Sequence, residues 1–521
     1  MSKPLWDPET LLVSVAQMQA IEQCLFAAGM PVAALMEHVA TKVADRIKLA
    51  FPITTFPQVG LLIGGGHNGG DALVIARELR LQGRTLRVWL GKPDLKALPA
   101  DHARYLDHLG VEWVDHVEDL AESDLLIDGM FGIGLSRPLA DPWATAVQWV
   151  NASGLPVISI DVPSGFDPDR GGPLGESCIR AHTTYCLGLW KRGLWQDPGL
   201  EWLGVLERVD CGIPTFAYQQ VLHQESVPHL ISRSFLGSHF PQRPVTTYKY
   251  RQGHLLLICG STTFAGAAVL TALGARGSGV GMVSVAVPQS IKTLLLQWVP
   301  EALIVGCPET KTGGIASLDS LDLERYSALG LGPGMTQDCL PLLHHLGELD
   351  LSIPWVLDAD GLNSLANLGV ETLQQRSAPT VLTPHLGEFQ RLFPEISLHD
   401  RIAAVQIAAQ QAEVTVLLKG ARTLIADPEG QVWVNPSSTP ALARGGTGDI
   451  LTGLIGGLLA RGVSAAGAGC LGAWWHSQAA IKLQRQRGSS GVDPVHLADA
   501  LAMTESELID LVSLSGTDQD H

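Results

Sequence analysis

The chain is poor in charge. Of its 521 residues only 17% are Asp, Glu, Lys or Arg, and 46% are hydrophobic. Globular domains carry about 25% charged residues. Chains that stay disordered combine high charge with low hydropathy, so that class is excluded. Cations are scarcer than anions: 35 basic against 52 acidic residues leave a net charge of −17. Phosphate backbones need basic surface, so no nucleic-acid partner is expected. A small anionic ligand needs only a local cluster of N–H donors, and is not excluded. The eight cysteines (Cys24, Cys178, Cys186, Cys211, Cys259, Cys307, Cys339 and Cys470) form no C-x-x-C pair. That excludes a zinc ribbon and a thioredoxin motif, and leaves buried, reduced thiols as the expectation. No apolar run reaches the 18 or so residues of a membrane span; the nearest, Ile450 to Leu459, is too short. The first residues carry Asp7 and Glu9 and no apolar core, unlike a signal peptide. A cytoplasmic protein with no membrane partner is expected.

What the chain does have is a rhythm. Short apolar runs at Val59–Ile63, Leu86–Leu90, Leu125–Asp128 and Val157–Asp161 alternate with amphipathic stretches at Asp71–Gln82, Asp101–Leu109 and Asp141–Asn151. The rhythm returns at His254–Cys259, Met282–Val287, Ala328–Leu331, Trp355–Asp358, Thr380–Thr383 and Val414–Lys419. Strand followed by helix, repeated, predicts α/β domains with parallel sheets covered on both faces. The pattern breaks between about Ile213 and Tyr248, where Pro214, Pro228, Pro241 and Pro244 cluster. Two domains follow, residues 1–225 and 226–521, with Gly516–His521 as a polar, disordered tail.

In the first half the run to Ile63 enters Gly64–Gly65–Gly66–His67–Asn68–Gly69–Gly70–Asp71. Strand, glycine-rich turn and helix make a phosphate-cradle layout, because glycine lets backbone approach a ligand and the helix start offers unpaired N–H groups. The spacing is not G-x-G-x-x-G, and a tight turn would also account for the glycines. Asn68 and Asp71 add side-chain ligands that a turn does not need. Two more strand ends look alike: Asp128–Gly129 before a glycine loop, and Asp161–Val162–Pro163–Ser164–Gly165. Three such ends point to one crevice at the carboxyl edge of a sheet. Asn68, Asp128 and Ser164 are hard oxygen ligands suited to an alkali or alkaline-earth cation. Asp161 is then a candidate acid/base.

These segments resemble the NAD(P)H-hydrate epimerase family over about residues 10–212. The resemblance implies a Rossmann-like three-layer αβα domain. It makes Asn68, Asp128 and Ser164 potassium ligands, and Asp161 the substrate-contacting acid/base. It makes His67, Asn68, Gly69, Gly70 and Asp71, with Gly132, Ile133, Gly134, Leu135, Ser136, Arg137 and Pro138, the binding loops for the hydrated dinucleotide. His67 and Ala72 depart from the family's Asn and Gly.

The second half holds Ala443–Arg444–Gly445–Gly446–Thr447–Gly448–Asp449, followed by an apolar helix. A glycine turn at a helix start builds an anion hole for a transferring phosphoryl group. Asp449 is placed to take a proton from a hydroxyl bound beside the hole. Lys419 at a strand end could meet nucleotide phosphate. With the Gly330–Gly334 loop, Asp358–Asn363, Thr383–Glu388 and Lys419–Thr423, the segment resembles the ADP/ATP-dependent NAD(P)H-hydrate dehydratases, over about residues 228–512. That implies a ribokinase-like α/β domain. It implies that Ala267, Gly334, His385 and Asp449 touch the hydrated dinucleotide. It also implies that Lys419, Gly420, Ala421, Arg422, Thr423 and Gly448 bind the adenine nucleotide. Leu386 and Arg444 depart from the family pattern, and Arg444 adds a cation next to the phosphate site.

Together the resemblances imply repair of NADH and NADPH hydrates (NADHX and NADPHX). One domain would interconvert the epimers. The other would phosphorylate the S form's hydroxyl and release phosphate, with ADP or ATP as cosubstrate, Mg²⁺ beside it and K⁺ in the first domain. A homo-oligomer is expected. The rival reading is a ribokinase-type small-molecule kinase with a non-catalytic N-terminal binding module.

Overall fold

The computed structural model describes residues 7–223, 226–349 and 351–515, with side chains omitted for 507–515. The expected tail Gly516–His521 lies outside these residues. The chain folds as two compact units, Met1–Pro228 and His229–His521.

The first unit is built on a seven-stranded sheet, parallel throughout. Gln58–Ile63 is flanked by Thr85–Leu90 on one side and by the central strand Leu125–Gly129 on the other. Val157–Ile160, Thr183–Leu187 and Val205–Val209 extend the second side, and Glu112–Val114 closes the first. Alternate residues serve opposite layers. Val59, Leu61 and Ile63 pack under the helices Val32–Ala50 and His67–Leu81, while Leu62, Trp89 and Leu126 face the helix Trp143–Ser153. Both faces are covered, which is why these strands read as unbroken apolar runs. The strand order reverses between Gln58–Ile63 and Leu125–Gly129. A crevice forms at the carboxyl ends of such a pair.

The second unit has a ten-stranded sheet. Parallel strands include His254–Ile258, Ala328–Leu331, Trp355–Leu357, Thr380–Leu382 and Thr415–Leu418, with the reversal between His254–Ile258 and Ala328–Leu331. The sheet is not parallel throughout, as the sequence had suggested. Thr415–Leu418, Leu424–Ala426 and Val432–Val434 run antiparallel to one another. The Lys419–Thr423 turn is too short for a parallel crossover, which takes a dozen residues or more. The apolar run Ile450–Leu459 lies within the helix Thr447–Ala460, buried almost all round. It seats against the helix Ala265–Gly277 through bare backbone. A methyl group on Gly274 would lie 2.1 Å from the Ile450 carbonyl oxygen, and one on Gly453 would lie 1.9 Å from that of Thr271.

Helices begin earlier than the sequence pattern predicted: His67 rather than Asp71, and Ala97 rather than Asp101. Glycines at 68's neighbours concealed the first of these. Gly69 and Gly70 are helical because Gly64 O and the Met36 side chain sit where their β-carbons would be. Trp89 and Trp475 are core residues, and the Trp475 indole N–H donates to Leu501 O and Thr504 Oγ1.

Candidate active sites

In the first unit the strand-end residues converge on one cleft of about 460 Å³. Its walls include Gly66, His67, Asn68 and Asp71 from one loop, Gly132–Leu135 from the next, and Asp161. Gly69 and Gly70 are buried in the helix packing instead, and Ser136, Arg137 and Pro138 lie exposed beyond the cleft lining. Ala72 is helical and fully buried against Gly129, so its methyl group is accommodated.

Asp128 is completely buried. It accepts from Ser164 N at 2.8 Å, Ser164 Oγ at 2.5 Å, Ser159 Oγ at 2.9 Å and Met130 N at 3.3 Å. Burial raises its pKa, and these neutral donors pull it back down. Asn68 Oδ1 and Asp161 Oδ2 approach the same side of Gly132, at 3.3 and 3.2 Å from where its β-carbon would be. The Asn68 side-chain N–H₂ is buried with no partner among the described residues.

Asp161 has φ +68°, a left-handed conformation that costs a non-glycine residue energy. Its N–H donates to Tyr185 O at 2.8 Å, which holds the turn. Its Oδ1 accepts from Lys191 Nζ and from Leu187 N at 3.3 Å. Lys191 is only 1% exposed. Burial opposes its charge, but Asp161 beside it prevails and lifts the Lys191 pKa above that of an ordinary lysine. Sequence reasoning missed Lys191; its signal was a lone lysine after the apolar Leu187–Trp190 stretch. It also missed Glu22, whose carboxyl reaches the cleft from the helix Val15–Ala27. Burial raises Glu22 to about 7, with Lys191 opposing and Asp161 reinforcing. Burial, then Asp161 and Glu22, hold Asp71 well above the usual carboxylate range. His67 is lowered by burial and by Lys96.

In the second unit the Gly445–Gly446 turn leads straight into the helix, with Gly448 and Asp449 in its first turn. Gly446 has φ +91°, and Leu270 blocks the space a side chain would need. Lys419 Nζ lies 3.5 Å from the β-carbon position of Gly448, so the two segments expected to bind phosphate meet. Lys419 donates to Asp358 Oδ1 at 2.5 Å, and Thr452 Oγ1 donates to Asp358 Oδ2 at 2.5 Å. Asp449 is raised to about 7 by burial and by Asp358, against Lys419, with Asp360 adding to the rise. His476 lies beneath the turn. Burial lowers it to about 4, so the ring is neutral at pH 7 and its Nε2–H donates to Thr447 O at 3.0 Å.

The other expected contacts gather around this edge. Ala267 and Gly334 touch: a β-carbon on Gly334 would lie 2.8 Å from that of Ala267. Asp360 Oδ2 accepts from Thr336 N at 2.8 Å, tying two loops together. His385 caps its own helix, with Nδ1 accepting from Gly387 N at 3.0 Å and from Glu388 N at 3.3 Å, and its Nε2 lies 3.5 Å from Glu388 Oε1. Thr423 Oγ1 donates to Gly420 O, and Arg422 reaches Ala421 O and Ser438 Oγ. Arg444 does not add a free cation at the phosphate site, as the sequence had suggested. Its guanidinium donates to Ser490 O at 3.1 Å and Val492 O at 3.5 Å, bracing a neighbouring loop. Of the four non-glycine residues with positive φ among the described residues, Asp161, Thr336 and Ala359 lie at these two sheet edges; Glu413 does not. Strain of this kind gathers at functional sites.

Comparison with known proteins gives consistent matches. Residues 32–193 match the family model of the YjeF-related protein N-terminus, and residues 255–503 that of NAD(P)H-hydrate dehydratase. The bifunctional NAD(P)H-hydrate repair enzyme Nnr of Synechocystis sp. is 50% identical over 494 residues, covering 94% of each chain. That of Gloeobacter violaceus is 46% identical, covering 94% of this chain and 96% of its own. Among solved structures, the ADP/ATP-dependent NAD(P)H-hydrate dehydratase of Bacillus subtilis, co-crystallized with ATP/Mg²⁺, is 28% identical. It covers 54% of this chain and 98% of its own, with a TM-score of 0.47.

Proposed function

The chain belongs to the bifunctional NAD(P)H-hydrate repair enzymes, and from that membership we propose which of its residues carry each step. It epimerises hydrated NADH and NADPH and dehydrates the S form with ADP or ATP. The reduced nicotinamide ring is an enamine, so water adds its oxygen to a carbon next to the ring nitrogen. That carbon is the epimeric centre.

In the first cleft, the dinucleotide phosphates lie at the start of the helix His67–Leu81, against Gly66 and the Gly132–Leu135 loop. The helix N-terminus favours the anion there. Asp161, paired with Lys191, takes up a proton from the oxygen at the epimeric centre. Asn68, Asp128 and Ser164 hold K⁺. The buried Asp128, bonded only to neutral donors, fits a cation. Bound there, K⁺ supplies fixed positive charge against the anionic substrate.

In the second cleft, Ala267, Gly334 and His385 orient the dinucleotide, while Lys419–Thr423 and Gly448 hold the adenine nucleotide's phosphates. Asp449 takes the hydroxyl proton as the oxygen attacks phosphorus, and the N–H groups of the glycine turn stabilise the phosphoryl charge. Asp358 and Asp360 flank this edge, a carboxylate set that fits Mg²⁺ shared with nucleotide phosphates. Mg²⁺ neutralises phosphate charge when bound. The ring nitrogen then expels phosphate, a far better leaving group than hydroxide, and loss of a proton from the adjacent carbon restores the double bond.

The observation that carries this reading is the meeting of Lys419 and Gly448 beside Asp449, which supports a nucleotide site next to a neutral-range base. Phosphorus NMR of the products tests it. Free phosphate and NADH are expected; a stable phosphoester would favour the kinase reading. The eight free cysteines support a reducing compartment such as the cytoplasm. Exposed Trp298 and Leu303 beside the edge strand Leu303–Cys307 support a homo-oligomer, which light scattering checks.

A further inference from the structure

We infer that Glu22 is the second proton-handling catalytic residue of the N-terminal cleft, the partner that Asp161 needs to invert the epimeric carbon. The inference rests on the epimerase reading above and goes beyond it.

Inversion through a planar intermediate takes two proton movements. The departing hydroxyl must gain a proton, and the entering water must lose one. Asp161 Oδ1 accepts from Lys191 Nζ and from Leu187 N, an arrangement that suits a proton acceptor. A second group is then needed to supply the first proton. The charged and titratable side chains around the Glu22 carboxyl are Asp161 and Lys191, Asp71 and His67 from the helix His67–Leu81, Lys96, and the Cys211 thiol. Lys191 is committed to Asp161 and to Leu187 O. Lys96 is exposed, and His67 is displaced toward its neutral form. Cys211 is pushed up to about 12 by burial. Asp71 is buried and held far above the neutral range, which suits a fixed hydrogen-bond donor.

Glu22 differs in two ways. Its carboxyl has no hydrogen bond among the described residues, so nothing in the protein competes for its proton. It also lies on a boundary. One side is the polar cleft, and the other is a mainly apolar cavity of about 120 Å³ walled by Met18, Leu25, Leu35, Met36 and Val39, with His67, Asp71 and Cys211 also in its lining. An apolar back wall keeps a carboxyl protonated near neutral pH, where an acid/base group is most effective.

The step balances. As the ring nitrogen's lone pair forms a C=N bond, the C–O bond breaks, and the Glu22 proton leaves with the hydroxide as water. A water on the opposite face adds its oxygen to the planar carbon. The C=N electrons return to nitrogen, and the water's extra proton passes to Asp161. The other epimer results, with Glu22 ionised and Asp161 protonated. That form runs the reverse reaction, and proton exchange with solvent restores the first.

The test uses the full chain as wild type, Glu22→Gln and Glu22→Asp. Epimerisation is followed by chromatography from about one pH unit below neutrality to about two above, and dehydration of the S epimer serves as the folding control. Epimerisation by wild type checks the underlying reading on its own. Glu22→Gln is expected to lower kcat by about 100-fold or more. KM and dehydration stay unchanged, and a pH limb near 7 disappears. Glu22→Asp is expected to retain the limb and most of the rate. A wild-type rate in Glu22→Gln, a change confined to KM, or equal losses in both variants would overturn the inference.

Discussion

Asp449 and Asp358 share one sheet edge with Lys419, and burial, reinforced by the Asp358 charge, tunes the proposed base. Asp358 helps raise Asp449 to about 7, so dehydratase kcat/KM should climb as pH rises through about 7. Asp358→Asn removes a neighbouring negative charge and frees Lys419, and both effects lower the Asp449 pKa. The pH–rate profile should therefore move to lower pH; a profile that stays put would show that Asp358 does not tune the base. Linkage gives a second sign. The folded-state pKa of Asp449 is raised, so the fold favours the protonated form. Its contribution is present below the ordinary carboxylate value and lost as pH passes through about 7. Asp449→Asn should thus melt a few degrees higher than wild type at pH 8, while losing dehydratase activity. A lower melting temperature would contradict this. In the first unit, Lys191→Met leaves the buried Asp161 carboxylate without its cation. Breaking a buried pair in this way costs about 3–5 kcal/mol. Urea unfolding followed alongside epimerase activity should show both stability and activity fall.

The helix that carries Asp449 is located by glycines rather than by its apolar face. The Gly274 backbone meets the Ile450 carbonyl, and Gly453 meets that of Thr271, with no room for a methyl group at either. Gly274→Ala must push the helix start away from Lys419. Overpacking of this kind costs about 1–3 kcal/mol, so the second unit should lose stability and the dehydratase should slow, with the epimerase rate unchanged. An unaffected dehydratase would mean that the helix position is not critical. Much of this arrangement was legible in the chain. Buried parallel strands are continuous apolar runs, and the glycine turns follow them directly. The helix start at His67 was hidden because Gly69 and Gly70 are weak helix formers, and tertiary contacts with Gly64 and Met36 select them. The antiparallel strands after Lys419 were hidden because short apolar runs do not reveal their direction. Lys191, Glu22 and the Asp358–Lys419 pair were hidden for another reason. Their roles come from partners distant in the chain, and no local spacing announces them.

The whole chain joins two chemistries in two units. Each places its proposed acid/base at the carboxyl edge of a sheet, where the strand order reverses. Asp161 lines the first cleft, and Asp449 lies beside Lys419 and Gly448. The most direct test of this division is recovery of NADH absorbance from a mixture of both NADHX epimers with Mg²⁺, K⁺ and ADP or ATP. Wild type, Asp161→Ala and Asp449→Ala are compared side by side. Full recovery by wild type, none by Asp449→Ala, and a stall near the S fraction in Asp161→Ala, beyond which only slow spontaneous epimerisation proceeds, is the predicted result. Full and rapid recovery by Asp161→Ala, or any nucleotide-dependent recovery by Asp449→Ala, would contradict it.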